Sequence, residues 1–166
     1  DNTGDVMIES SDIIEHLGRT YDAKVRNPKG AMRKVAVGTS LLATVLGTRP
    51  SGIQGLKARP SKAPAQPLEL YSFEASPYSK PVRARLCELE IPYILRNTPK
   101  GATTDLGPPF FRDKLFKGPK GTTRHRQFLA ETTGKVQVPY LVDPNTGVAM
   151  YESADIVKYL DKTYGA

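Results

Sequence analysis

Residues 136–164 read VQVPYLVDPNTGVAMYESADIVKYLDKTY, and this stretch decides the fold. Two short apolar runs, VPYLVDP and AMYE, flank the turn dipeptide Thr146-Gly147, and SADIVKYLDKTY follows them. The two runs predict strands joined by a tight turn, and the last segment predicts a helix. This part of the chain is therefore a strand–strand–helix unit.

The same unit occurs a second time near the beginning of the chain. Residues 2–21 are identical to residues 145–164 at 11 of 20 positions, which indicates two copies of one structural unit. In the first copy, VMI predicts a strand, and SSDIIEHLGRTY predicts a helix with Ser10 as N-cap and Ile13, Ile14 and Leu17 on its apolar face. We expect this copy to be structural, the remnant of a first domain whose earlier part is cleaved or lies upstream. Two strands cannot bury a core alone, so we expect it to pack against the intact copy.

Working backwards from residue 136 completes the second copy. LELYSF predicts a strand, SPYSKPVRARLCELE a helix with Ser76 as N-cap, PYILRN a strand and RHRQFLAETTG a helix. The order βαβαββα over residues 68–166 predicts an α/β fold of the thioredoxin-like type. The predicted organisation is a remnant at 1–21, a segment at 22–67 and a complete domain at 68–166 with an insertion at about 99–123. The middle segment combines a basic turn, an apolar helix at 31–47 and a Pro-rich linker.

Charge is distributed unevenly along the chain. The net charge of +7 arises from residues 22–67, which sum to +8, and residues 96–126, which sum to +6, while the remaining segments are mildly acidic. Such basic segments suit an acidic protein, an anionic membrane surface or nucleic acid, although solvated loops would look the same. The uncharged run from Val35 to Thr48, which starts in the predicted helix at 31–47, is 14 residues. This is short of the roughly 20 that cross a bilayer, so we expect a buried or interfacial helix.

The motifs ASPYSKPVRARLCELEIPY, VQVPYLVDPNTG and YESADIVKYL resemble the N-terminal, glutathione-binding domain of glutathione transferases. The sequence is most similar to plant and algal plastid-type members with two such domains in tandem, the first truncated here. The resemblance implies a chloroplast location and makes glutathione the expected ligand, with no cofactor required.

The resemblance also implies a glutathione site at Ser76, Val138, Pro139, Glu152 and Ser153. A cis Val138–Pro139 bond would present the Val138 backbone to the cysteinyl part of glutathione. Ser153, at a helix N-terminus, would bind the γ-glutamyl carboxylate, and Glu152 the ammonium group. Ser76 would lie nearest the sulfur, and it is the one candidate catalytic residue. Each position also has a purely structural interpretation, since Ser76 and Ser153 could simply cap helices and Pro139 shape a loop.

Three features argue against catalysis. Thiol–disulfide exchange requires a cysteine at the helix N-terminus, and here both positions, Ser76 and Ser79, are serine. The single cysteine, Cys87, is predicted to be an inert packed thiol. No all-helical domain follows residue 166 in this sequence, and the insertion interrupts the region beside the expected site. No metal site is predicted, because His16 and His125 lack ligand-type partners and a single cysteine excludes a multi-cysteine site.

Aromatic and basic residues alternate in the insertion, which predicts a docking surface for a protein partner. Its residues are Phe110, Phe111, Arg112, Lys114, Leu115, Phe116 and Lys117. They could equally fold back on their own domain.

Three functions follow from these patterns. The leading one is a non-catalytic adaptor or accessory subunit of a larger assembly, which the plastid resemblance would place at a photosynthetic membrane. The second is a glutathione-binding protein or glutathione transferase-like enzyme. The third is a binder of anionic membrane surfaces or, less in keeping with the motifs, of nucleic acid.

Overall fold

The structure is a computed structural model that describes residues 4, 6–8, 10–24, 30–47, 54–102 and 121–166. It contains two compact units, Asp1–Gly52 and Ile53–Ala166.

The described part of the first unit contains two helices, α1 (Ser10–Thr20) and α2 (Ala31–Gly47), as predicted. The predicted strand at 6–8 is wrong, because these residues form no ladder and the Val6 and Ile8 side chains are 92% and 93% exposed. A strand needs a partner for its backbone groups, and none of the described residues provides one. Within this unit α1 buries no side chain, and Val35 of α2 is 62% exposed. The packing of the first repeat against the intact copy stays a prediction.

The second unit has the predicted βαβαββα order. Its elements are β1 (Leu68–Ser72), α3 (Lys80–Glu88), β2 (Tyr93–Asn97), α4 (Arg124–Thr133), β3 (Tyr140–Asp143), β4 (Val148–Tyr151) and α5 (Ser153–Tyr164). The strands form one sheet in the order β2-β1-β3-β4, in which β1 and β2 are parallel and the other pairs antiparallel. This is the mixed α/β, thioredoxin-like fold that the sequence predicts.

Helices cover both faces of this sheet. On one face, sheet residues such as Leu70 and Leu141 pack with Leu86 of α3 and with Ile156 and Leu160 of α5, all fully buried. On the other face, a smaller cluster joins three buried residues, Tyr71, Tyr140 and Leu129 of α4. The larger cluster therefore holds α3 and α5 in place against the sheet.

The last part of the predicted linker docks on this unit. The Arg59 amide donates to the Glu88 carbonyl at 2.7 Å, and the Lys62 amide donates to the Tyr164 carbonyl at 2.8 Å. Ser61 forms a β-bridge with Gly165. Residues 54–67 thus extend the compact unit ahead of β1.

A buried carboxylate ties the β3–β4 turn to α5. Asp143 is fully buried and accepts hydrogen bonds from the Tyr159 hydroxyl at 2.6 Å and from the Tyr164 hydroxyl at 2.5 Å. Its other oxygen accepts the backbone and side-chain N–H groups of Asn145 at 2.8 and 2.9 Å. Burial by itself raises the pKa of Asp143, but the hydrogen bonds lower it by more. The net effect is a pKa below the usual value of an aspartate, so the carboxyl stays ionised at a lower pH than usual.

The starting point of α3 differs from the prediction. The helix begins at Lys80, with Pro81 in its first turn, and not just after Ser76. Residues 77–79 form a turn instead, in which the Ser76 Oγ accepts a hydrogen bond from the Ser79 amide at 3.2 Å. Ser76 therefore caps this turn, which precedes the helix.

Among the described residues, no helix is long and apolar enough to cross a membrane.

Candidate functional site

The sheet brings the predicted site residues to one of its edges. Tyr71 near the end of β1 pairs with Tyr140 at the start of β3, and Tyr140 pairs with Tyr151 at the end of β4. Ser76 follows β1, Val138 and Pro139 precede β3, and Glu152 and Ser153 follow β4, so all five lie at this edge.

Val138 and Pro139 form the centre of this edge. Their peptide bond is cis, as the sequence predicts. Pro139 is buried and Val138 half-buried. No hydrogen bond joins the Val138 backbone to another described residue, so its N–H and C=O can pair with an extended peptide.

Glu152 and Ser153 form the corner where β4 turns into α5. Glu152 adopts φ +68° and ψ +114°, a backbone conformation that a residue with a side chain rarely adopts. Its side chain is exposed and makes no capping hydrogen bond, and no described cation pairs with it. Ser153 is half-buried and occupies the first helical position. The corner thus presents a carboxylate, a hydroxyl and the unpaired N–H groups of a 12-residue helix.

Ser76 is more buried than we expect of a residue that contacts the sulfur of a ligand. The residue is only 2% exposed, and its Oγ already accepts the Ser79 amide. The interpretation of Ser76 as a cap agrees with this geometry.

Two cations, Lys100 and Arg126, lie near Phe73 at this edge of the sheet, and the sequence patterns do not predict them. The Arg126 guanidinium is 5.8 Å and the Lys100 ammonium 5.7 Å from the ring centroid of Phe73, the residue after β1. Arg126 is 3% exposed and its Nε donates to the carbonyls of Thr98 and Pro99 at 3.1 and 3.0 Å. Their charge favours a ligand with net negative charge. Arg126 lies three residues before Leu129, on the same side of the helix, and this spacing could have indicated a buried arginine.

Buried hydroxyls add to the polarity of this edge. The side chains of Ser72, Ser79 and Thr98 are fully buried and form no hydrogen bond with any described residue. All three belong to the ends of β1 and β2 or to the start of α3. Buried polar groups are normally paired with protein groups or ordered water, so these three hydroxyls are exceptions to that rule.

A cavity of about 380 Å³ lies between β2 and the start of α4. It is lined by Leu95, Arg96, Asn97, Pro99, Thr123, Arg124 and His125. None of the five predicted site residues lines it. The candidate site is therefore an open edge of the sheet, separate from this cavity.

Comparison with known proteins decides the family. Residues 70–166 match the model of the glutathione S-transferase N-terminal domain, which is more than half of the chain. The chain belongs to this family. The match begins within β1, so it does not reach the N-terminal repeat, and the tandem arrangement and the plastid origin stay predictions.

Two solved structures of a glutathione transferase from Bombyx mori, BmGSTD1, are also similar. The one in complex with GTT aligns with 22% identity and a TM-score of 0.42, over 63% of this chain and 39% of that one. The other aligns with 21% identity and a TM-score of 0.41, over 63% and 38%. The chain thus spans about two fifths of the length of these transferases. A search of curated protein sequences found no match.

Other predicted features fall elsewhere. The docking residues Phe110, Phe111, Arg112, Lys114, Leu115, Phe116 and Lys117, and also Glu9, lie outside the described residues. Cys87 is exposed, so the prediction of a packed thiol is wrong, because position 87 faces away from the stripe formed by Val82 and Leu86. The described residues contain no group of acidic, histidine or cysteine side chains that could hold a metal ion.

Proposed function

We propose that residues 54–166 form a module that binds glutathione without activating its thiol, within a non-catalytic accessory protein. The observation that carries this proposal is the corner at Glu152 and Ser153. Glu152 is one of three described non-glycine residues with positive φ, with Asp22 and Glu90, and it is the one of the three that lies at this edge. Such a backbone conformation costs on the order of 1–3 kcal/mol, and residues that adopt it cluster at ligand sites.

Each part of glutathione has a matching group at the sheet edge. The γ-glutamyl carboxylate suits the N-terminus of α5 and the Ser153 hydroxyl, and the ammonium suits the exposed Glu152 carboxylate. The cysteinyl backbone can pair with the free N–H and C=O of Val138 as a short added strand. Glutathione carries a net negative charge at neutral pH, which the cations Lys100 and Arg126 favour.

Burial of Ser76 supports the non-catalytic part of the proposal. Transfer to an electrophile requires a group that stabilises the glutathione thiolate, and the Ser76 hydroxyl is buried in its turn. The alternative, a glutathione transferase-like enzyme, predicts conjugation of 1-chloro-2,4-dinitrobenzene above the uncatalysed rate and loss of that activity in Ser76→Ala.

Binding is tested by isothermal titration of the full chain with glutathione. Ser153→Ala is expected to weaken binding by about 10- to 100-fold, because a hydrogen bond to a charged group is lost. Ser10→Ala is the matched control, since Ser10 occupies the same place in the first repeat and should leave affinity unchanged. No binding at 10 mM glutathione, or equal effects of the two variants, would contradict the proposal.

The accessory role rests on the basic segments, which sum to +8 over residues 22–67 and +6 over residues 96–126. Such charge suits an acidic protein or lipid surface of a larger assembly. The resemblance to plastid-type proteins extends the proposal to a chloroplast location near a photosynthetic membrane. Native electrophoresis with mass spectrometry tests it, and a chain that migrates alone contradicts the accessory role.

A further inference from the structure

Helix α2 carries exposed apolar side chains. Met32, Val35, Val37 and Leu42 are 70, 62, 62 and 59% exposed. Met32, Val35 and Leu42 are three and seven residues apart, a spacing that aligns them along one side of a helix, whereas Val37 lies on the opposite side. Exposed apolar side chains in such a row are typical of an interaction surface.

The charge of this helix distinguishes between partners. Arg33 and Lys34 lie in its first turn, and no acidic residue occurs anywhere from Ala31 to Gly47. The surrounding segment, residues 22–67, contains nine Lys or Arg and one acidic residue. Two copies of this helix would bring like charges together, whereas an anionic surface neutralises them.

The length of α2 decides how it would meet a bilayer. Its 17 residues extend about 25 Å, less than the roughly 30 Å of a hydrocarbon core. A helix with exposed apolar side chains and basic residues in its first turn suits the membrane–water interface, where it lies parallel to the surface. Nucleic acid would satisfy the charges but leave the apolar row in water.

We propose that α2 is an in-plane anchor that binds anionic lipid surfaces. Met32, Val35 and Leu42 enter the boundary between headgroups and acyl chains, and Arg33 and Lys34 contact the anionic headgroups. This binding is independent of the glutathione site, so either proposal can fail without the other.

Co-sedimentation of the full chain with vesicles tests the anchor. Vesicles of 70% phosphatidylcholine and 30% phosphatidylglycerol should bind the protein, vesicles of phosphatidylcholine alone should bind it much more weakly, and 0.5 M NaCl should release it. The double variant Arg33→Gln/Lys34→Gln should lower the partition coefficient by about 30-fold, since each basic residue contributes about 5-fold near an anionic surface.

The apolar row is tested by Val35→Ser/Leu42→Ser, which should weaken vesicle binding by about tenfold or more. Leu56→Ser is the matched control, because Leu56 is 69% exposed and lies outside α2. Thermal unfolding of each variant should match the wild type, which shows that the second unit remains folded. Vesicle binding that survives Val35→Ser/Leu42→Ser overturns the proposal. So does a concentration-dependent dimer that this variant abolishes while vesicles do not bind, because a second copy would then cover the row.

Discussion

Replacing Tyr164 by Phe should destabilise the second unit by removing one hydroxyl from the buried Asp143 carboxylate. The Tyr164 hydroxyl donates to Asp143 at 2.5 Å, and Tyr164 is only 5% exposed, so water cannot easily replace it. A hydrogen bond to a charged group contributes about 1.5–3 kcal/mol, and we expect a loss of about 2 kcal/mol in the free energy of unfolding. Tyr21→Phe is the matched control, because Tyr21 is the repeat equivalent and is 65% exposed.

Urea unfolding followed by circular dichroism measures this loss, and its pH dependence tests the cause. Because the hydrogen bonds lower the pKa of folded Asp143, its stabilisation is present above the unfolded pKa of about 4 and is lost as the pH falls through the folded value. The difference between the wild type and Tyr164→Phe should therefore shrink at acidic pH. A loss below about 0.5 kcal/mol at pH 7, or a loss that grows as the pH falls, would refute an ionised Asp143 as the acceptor.

The remaining predictions concern stability. Burial raises the pKa of Tyr164, and so do the hydrogen bond to Asp143 and the charge of that carboxylate. The second unit should therefore lose stability as the pH rises above about 10, the pKa of an unfolded tyrosine. Alkaline unfolding that Tyr164→Phe leaves unchanged would contradict this. Leu160→Ala should cost about 2–5 kcal/mol because Leu160 is fully buried, whereas Leu17→Ala, its repeat equivalent at 43% exposure, should cost less than about 0.5 kcal/mol; equal losses in urea unfolding would show that α1 is packed like α5. Gly134→Ala should cost about 1–2 kcal/mol, because Gly134 ends α4 at φ +70°, and an unchanged unfolding midpoint would argue against that conformation.

Much of the second unit could be predicted from the sequence because its patterns are local. Alternating or continuous apolar runs that are separated by turn residues predict the strands, and the order of strands and helices then predicts the fold. The start of α3 was missed because both Ser76 and Ser79 are good capping residues and each is followed by proline within two positions. Only the three-dimensional packing shows that Ser76 caps a separate turn.

The first repeat shows what a pattern cannot decide. Ile13 and Leu17 are identical to Ile156 and Leu160, yet α5 buries its pair and α1 buries no side chain. The sequence predicts which face is apolar, but burial depends on a sheet that residues 6–8 do not form. The same limit applies at the site, where the residues were named from a resemblance but the burial of Ser76 and the cations near Phe73 required coordinates.

The most direct test of glutathione binding is to record backbone amide shifts of the ¹⁵N-labelled full chain during a glutathione titration. We expect saturable shifts at Val138, at Ser153 and at the next residues of α5, and in the Ser153→Ala variant we expect the same shifts to need about 10- to 100-fold more glutathione. Shifts confined to the cavity residues Arg124 and His125, or none up to 10 mM glutathione, would contradict binding at this edge of the sheet.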